Sequence, residues 1–174
     1  MAPGAIDNAA TVVHLDQFTA RVPMVVETAS DFLARYAAPR RHHIACALAL
    51  RSGRIVLGVN IVANIGPASI CAEQVALGEA LKCPYDGIEL IVTTRATFDE
   101  RRPTELVPPC GRCRELLCEY AAGAHIVLPG NGGAGAWTVV GIGALLPSPF
   151  RRRAALSIGE SRSCPPADDL ECEL

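Results

Sequence analysis

Two short cysteine clusters constrain this chain more than any other feature of its sequence. The first is Cys71-Ala72-Glu73 and the second is Cys110-Gly111-Arg112-Cys113. Each cluster opens an apolar stretch with helical character, so we expect both to lie where helices begin. Cys110 and Cys113 are three residues apart, and residues at that spacing share one face of a helix. Both sulfur atoms can therefore reach a single metal ion.

The first cluster has a different spacing, and it carries a carboxylate. Cys71 and Glu73 are two residues apart, so inside a helix their side chains would point in nearly opposite directions. Both side chains reach one metal only if Cys71 has non-helical dihedral angles at the start of the helix. The pattern thus predicts a site at two helix N-termini, where free N–H groups and the helix dipoles stabilise thiolates.

Three thiolates and a nearby carboxylate form the donor set of a hydrolytic zinc site. Three cysteines can hold Zn²⁺ and leave a fourth position for water, and Glu73 can move protons to and from that water. Three thiolates also make the centre negative, so cations are needed nearby, and Arg112 and Arg114 are the candidates. A structural zinc site, or no metal at all, is the alternative interpretation of a Cys-x-x-Cys pair.

Composition narrows the class of protein. With 174 residues, of which 50% are hydrophobic, the chain can bury one substantial core. No apolar run is long enough to span a bilayer and no secretory signal opens the chain, so we predict a cytoplasmic protein without membrane contact. The net charge of −2 argues against nucleic acid as a partner. Cys164 and Cys172 lie in a polar tail and have no predicted role.

The order of apolar segments predicts an α/β layered domain. A helical pattern covers residues 25–38, and strand patterns cover residues 44–50, 55–60, 87–93, 125–128 and 137–140. The polar stretch 95–107 is interpreted as a loop near the site. We assign residues 1–20 to a partly ordered leader, 21–150 to the catalytic domain and 151–174 to a disordered tail.

These motifs resemble the cytidine deaminase family in its zinc-dependent, three-cysteine form, and within it the blasticidin S deaminase-like proteins. The resemblance extends over residues 41–150, with matching stretches at 41–44, 60–66, 70–73, 109–116 and 145–147. It implies a three-layer α/β/α fold with a mixed five-stranded sheet. It also implies a homotetramer in which each site borrows residues from neighbouring subunits, and a small nucleoside-like substrate.

The resemblance also implies roles for individual residues. It makes Zn²⁺ the cofactor, bound by Cys71, Cys110 and Cys113, with Glu73 transferring protons. It implies that the Ala72 backbone contacts the amidine edge of the base and that Asn60 contacts the sugar. It also implies that the His42 ring stacks on the base and that Phe150 closes the site of a neighbouring subunit. His42 as a strand-entrance residue and Phe150 as a packing residue are the simpler alternatives.

Two positions depart from the family pattern. Nucleoside-specific relatives carry a sugar-binding glutamate where this chain has Val62, and an apolar side chain leaves a sugar hydroxyl without an acceptor. In several relatives an arginine follows the catalytic glutamate, but here the residue is Gln74, so we favour Arg114 as the compensating cation.

The implied reaction is hydrolytic deamination of a cytosine nucleoside. A blasticidin S-type antibiotic ranks ahead of cytidine or deoxycytidine, because Val62 replaces the sugar-binding carboxylate. Deamination of a different aminoheterocycle and a non-catalytic zinc-stabilised module are the alternatives.

Overall fold

The computed structural model describes residues 16–82, 86–99, 102–132 and 135–150. Most of the predicted leader and the whole predicted tail, with Cys164 and Cys172, lie outside the described residues.

A single mixed sheet forms the middle of the domain. Its strands are β1 Ile44–Leu50, β2 Ile55–Val59, β3 Ile88–Asp99, β4 Arg102–Leu106, β5 His125–Pro129 and β6 Trp137–Gly141. The order across the sheet is β2-β1-β3-β5-β6, and β4 pairs with the second half of β3. Neighbouring strands are antiparallel except for the parallel pair β3 and β5. All five predicted strands are present.

The sixth strand corrects the predicted count and the predicted loop. The segment expected to be a loop continues β3 as far as Asp99 and returns as β4. Arg95 lies opposite Glu105 in this pairing, and the Arg95 Nε donates a hydrogen bond to Glu105 Oε1 over 2.8 Å. Such a cross-strand ion pair stabilises a hairpin whose side chains are polar. The polar composition of residues 95–107 therefore did not predict a strand.

Four α-helices cover the sheet within the described residues. They are α1 Asp16–Thr19, α2 Arg21–Tyr36, α3 Ala72–Ala80 and α4 Gly111–Tyr120. The predicted first helix begins four residues earlier than expected, and it ends before Pro39. The buried positions of α2 are Val22, Val25, Ala29 and Leu33, a spacing of three to four residues that forms one apolar stripe.

Two apolar cores lie on the two faces of the sheet. Strand β1 is buried on both faces, because Ala47 and Ala49 face α2 while Cys46, Leu48 and Leu50 face α3 and α4. The fold is therefore the predicted α/β/α arrangement in three layers. No helix among the described residues has the length and apolar character needed to cross a membrane.

Gly58 in β2 allows α3 to pack tightly against the sheet. A Cβ atom at this position would overlap the backbone of Ala72 and Ala76. This contact fixes the first turn of α3, which carries the first cysteine cluster.

Candidate active site and metal centre

The first cluster lies at the beginning of α3, as its spacing predicts. Cys71 is the N-cap residue and has extended dihedral angles, with φ −73° and ψ 152°. The Cys71 backbone N–H donates to Gln74 Oε1 over 3.2 Å, so the two residues form a capping box. Glu73 follows in the first turn, and its side chain is buried. Because the Cys71 backbone is extended and not helical, the side chains of Cys71 and Glu73 can point toward the same site.

The second cluster begins α4 in the same way. Cys110 is the N-cap residue, with φ −67° and ψ 165°, and Cys113 lies in the first turn. The Sγ atoms of Cys71, Cys110 and Cys113 all lie within 4.8 Å of one another. The structure thus brings together the three predicted ligands from two helix N-termini.

The donor set fits zinc in geometry. A tetrahedral Zn²⁺ site with Zn–S bonds of about 2.3 Å separates its sulfur atoms by about 3.8 Å. The Sγ atoms of Cys71 and Cys110 are 3.7 Å apart. Cys110 is exposed and Cys113 is buried, so the cluster extends from the surface into the protein.

Glu73 lies directly beside this cluster. Its Oε2 is 3.5 Å from Cys113 Sγ, and its Oε1 accepts a hydrogen bond of 3.4 Å from Thr93 Oγ1. The side chain is only 5% exposed. A buried carboxylate in this position can exchange protons with a group at the metal. Thr93 was missed in the sequence analysis, because nothing distinguishes it from other strand threonines.

The comparisons with known proteins agree on one family. Residues 24–128 match the family described as the cytidine and deoxycytidylate deaminase zinc-binding region. The chain belongs to this family. Zinc is accordingly its cofactor, as predicted, and the predicted resemblance to cytidine deaminases is confirmed.

Individual relatives share the same family. A blasticidin-S deaminase from Bacillus cereus is 32% identical over 110 residues, which is 62% of this chain and 79% of that protein. A cytidine deaminase from Halalkalibacterium halodurans is 32% identical over 91 residues, 52% of this chain and 64% of that protein.

Solved cytidine deaminase structures have the same fold. That of Mycobacterium leprae aligns with a TM-score of 0.60 at 22% identity, and that of Burkholderia pseudomallei with a TM-score of 0.59 at 26% identity. Each alignment covers 74% of this chain and 98% of the other chain. The predicted fold class is confirmed.

The thiol pKa values of this family member explain why its ligands need a cation. Burial raises the pKa of the Cys113 thiol far above its ordinary value, and the adjacent Glu73 carboxylate raises it further. Burial acts in the same direction on Cys110, but hydrogen bonds, chiefly from the Cys113 backbone N–H, outweigh it and lower that pKa. A divalent metal beside these sulfur atoms would lower the thiol pKa values, because its charge favours the thiolate form.

Arg112, rather than Arg114, is the cation that faces the thiols. The Arg112 Nη2 lies 3.7 Å from Cys71 Sγ and donates to Gln74 Oε1 over 3.0 Å and to the Ser69 carbonyl over 3.1 Å. The hydrogen bond to Cys71 raises the pKa of Arg112, and the negative charge of the Cys71 thiolate raises it further. The preference for Arg114 was therefore wrong.

Arg114 has a different set of partners. It donates to the carbonyls of Pro109 over 2.9 Å and Leu145 over 3.3 Å. These bonds fasten the start of α4 to the chain after β6. Spacing alone could not separate the two arginines, because both follow the same helix start.

The predicted substrate residues differ in where they lie. A cavity of about 430 Å³ above the cluster is lined by Asn60, Val62, Ala72 and Glu73 among others. Asn60 is buried, and its Oδ1 accepts hydrogen bonds from the backbone N–H groups of His43 and Ile44. Only its amide nitrogen is then directed to other partners, and this nitrogen lies 3.4 Å from His43 Nδ1.

His42 and Phe150 are not among the residues that line this cavity. The His42 Nδ1 is 2.7 Å from the Asn60 carbonyl oxygen, so the ring is held beside the strand end. Phe150 is 78% exposed at the end of the described residues. Within one subunit the structure does not bring either ring to the metal ligands.

Proposed function

We propose that this chain hydrolyses the exocyclic amine of a cytosine nucleoside to a carbonyl and releases ammonia. The observation that carries the proposal is the buried Glu73 carboxylate in contact with Cys113 of the three-cysteine cluster. A purely structural zinc site needs no buried acid beside its thiolates, because that acid adds repulsion without adding a ligand.

The chain's own residues supply binding and proton transfer. Cys71, Cys110 and Cys113 would hold Zn²⁺, which would supply the Lewis acidity that makes a water molecule nucleophilic toward the amine-bearing ring carbon. Glu73 accepts a proton from this water and passes it to the neighbouring ring nitrogen. Glu73 then carries the second proton to the departing amine, so that water and substrate yield the carbonyl product and ammonia. Thr93 orients the carboxylate through Oε1.

The cavity wall favours a substrate other than an ordinary ribonucleoside. Asn60 and Ala72 both line the cavity, so Asn60 would offer an amide N–H and the Ala72 backbone would contact the base edge. Ile61, Val62 and Ile70 add apolar side chains to the lining, which also includes Ser69 and Arg112. A ribose hydroxyl facing Val62 would lose its hydrogen bond, which costs about 1–3 kcal/mol. A blasticidin S-type nucleoside antibiotic is the first candidate, and cytidine or deoxycytidine the second.

Two other functions are the competing proposals. The same chemistry could act on a different aminoheterocycle, since the loss of a sugar-binding carboxylate relaxes selection. A non-catalytic zinc-stabilised module is the other, and it predicts no ammonia release from any substrate.

Ammonia release from four compounds tests the proposal. Zinc-loaded protein is incubated separately with blasticidin S, cytidine, deoxycytidine and cytosine, and the control is Glu73→Gln, which keeps the size of the side chain. We expect turnover of blasticidin S above that of cytidine, and a loss of about 10²- to 10⁴-fold in Glu73→Gln with the zinc content unchanged.

Each other result has a definite meaning. Activity retained in Glu73→Gln would contradict the role of this residue. Brisk cytidine turnover would show that Val62 does not redirect selection. No ammonia release from any of the four compounds would favour the competing proposals.

The finer assembly and location are also proposals. We infer a cytoplasmic homotetramer in which Phe150 of one subunit covers the cavity of a neighbour, with His42 stacking on the base. The exposed apolar side chains near the cavity, Ile61, Ile65 and Ile70, support a covered opening.

A further inference from the structure

A second cavity lies on the opposite face of the sheet, beneath α2. Its volume is about 550 Å³, within the range of small-molecule sites. Successive residues of a strand point to opposite faces, and β3 follows this rule here. Thr93 contacts Glu73 on the zinc side, whereas Thr94 lines the second cavity. The two cavities are therefore separated by a single strand.

Thr94 gives this cavity an unsatisfied polar group. The residue is only 1% exposed, and its Oγ1 has no hydrogen-bond partner among the described residues. Buried hydroxyl groups in proteins nearly always have a partner. The neighbouring Thr104 shows the usual state, because its hydroxyl bonds to Ser30 Oγ over 2.9 Å.

The charges that line the cavity are negative. Glu27 and Glu105 contribute carboxylates, and within the described part of the chain no lysine or arginine lines the cavity. Glu105 shares its Oε1 with Arg95, while Glu27 makes no ion pair with any described residue. Trp137 adds an aromatic ring, and its indole is the best ring for attracting a cation.

We propose that this cavity binds a small organic cation that carries N–H donors, an alkylamine or guanidinium compound. Its N–H groups would donate to Thr94 Oγ1 and the Glu27 carboxylate, and its carbon atoms would lie against Trp137. Thr94, Glu27 and Trp137 would each contact a different part of such a compound. A neutral or anionic ligand would leave the Glu27 carboxylate without a cation.

Trp137 is also the means of testing the proposal, since it is the only tryptophan in the chain. The full-length, zinc-loaded protein is titrated with agmatine, which carries an ammonium and a guanidinium group, while tryptophan emission is recorded. Parallel titrations use 1-pentanol and succinate as neutral and anionic probes. We expect a saturable change in emission with agmatine alone. Tryptophan emission does not depend on turnover, so this test of cation binding is independent of the proposed deaminase activity.

Substitutions assign the binding to the named residues. Thr94→Val keeps the side-chain shape and should weaken agmatine binding about tenfold, because one hydrogen bond to a charged donor is lost. Glu27→Gln on the exposed surface of α2 should weaken it about fivefold. The matched control is Thr138→Val, next to Trp137 in β6 but outside the lining, and it should bind like the unchanged protein.

Several results would overturn the proposal. These are no response to agmatine, an equal response to 1-pentanol, or unchanged binding in both Thr94→Val and Glu27→Gln. An emission that changes with protein concentration instead would show that a second copy of the chain covers the cavity, which also refutes it. If Thr94→Val fails to fold, Glu27→Gln decides.

Discussion

Arg112 connects the two halves of the metal site. Its Nη2 reaches the Cys71 sulfur, the Gln74 side chain and the Ser69 carbonyl, which lie in or next to the first cluster, although Arg112 itself lies in the second. Residues that hold metal ligands from outside commonly contribute 10- to 100-fold to metal affinity. At the scale of single residues, this arginine is the most informative one to change.

We predict that Arg112→Gln lowers zinc affinity about tenfold. The substitution removes the positive charge beside three thiolates, whereas Arg112→Lys keeps the charge and should recover part of the affinity. Zinc affinity is measured by competition with a chelator of known strength. Arg114→Gln is the comparison variant, because Arg114 donates to the Pro109 and Leu145 carbonyls and not to a thiol. Equal zinc affinities in Arg112→Gln and the unchanged protein would refute the assignment.

The site residues differed in how far the sequence could predict them. The grouping of Cys71, Cys110, Cys113 and Glu73 at two helix N-termini was predictable, because a metal site with an acid beside it needs particular residue types at particular spacings. The choice between the two arginines was not, since it depends on the direction that each side chain takes from the same turn. Contacts made by separate strands, such as that of Thr93, leave no local pattern to detect.

At the scale of elements, the close packing of α3 on β2 sets the position of the metal site. Gly58 is the residue on which this packing depends, because any side chain there meets the helix backbone. The helical character of α2 and the strand character of β1 were predictable from the pattern of apolar residues. Strand β4 was not, since its polar side chains pair across an exposed hairpin and resemble a loop.

We predict that Gly58→Ala destabilises the protein by about 1–3 kcal/mol, the usual cost of an overpacked core. Gly78→Ala is the matched control, because Gly78 lies within α3 and has open space around it. That substitution should stabilise the helix by about 0.5–1 kcal/mol. Urea unfolding of the zinc-loaded variants measures both changes. A Gly58→Ala variant as stable as the Gly78→Ala variant would contradict the packing argument.

At the scale of the whole molecule, apolar side chains remain exposed around the opening of the active-site cavity. Ile61 and Ile70, which line this cavity, are 44% and 42% exposed, and Phe150 at the end of the described residues is 78% exposed. Side chains of this kind mark contact surfaces when they cluster. The proposed tetramer would bury them.

We therefore predict that sedimentation of the full-length protein gives a mass four times that of the chain. Phe150→Ser should shift the population to smaller species, since it removes an aromatic contact from each interface. Met24→Ser is a matched control, because Met24 is exposed on α2, away from the zinc-side cavity. A monomer at all concentrations would contradict the proposed assembly.

The hydrogen bonds of Arg112 also bear on how the protein matures. They join Ser69 and Gln74 to the start of α4 by contacts between protein groups alone. Because these bonds do not pass through the metal, we expect the ligand set to keep much of its arrangement without zinc, so that loading becomes a capture step that follows folding. Folded molecules could then accumulate while zinc is scarce and bind the metal when its concentration rises. The active fraction in a cell would follow metal supply more closely than it follows synthesis.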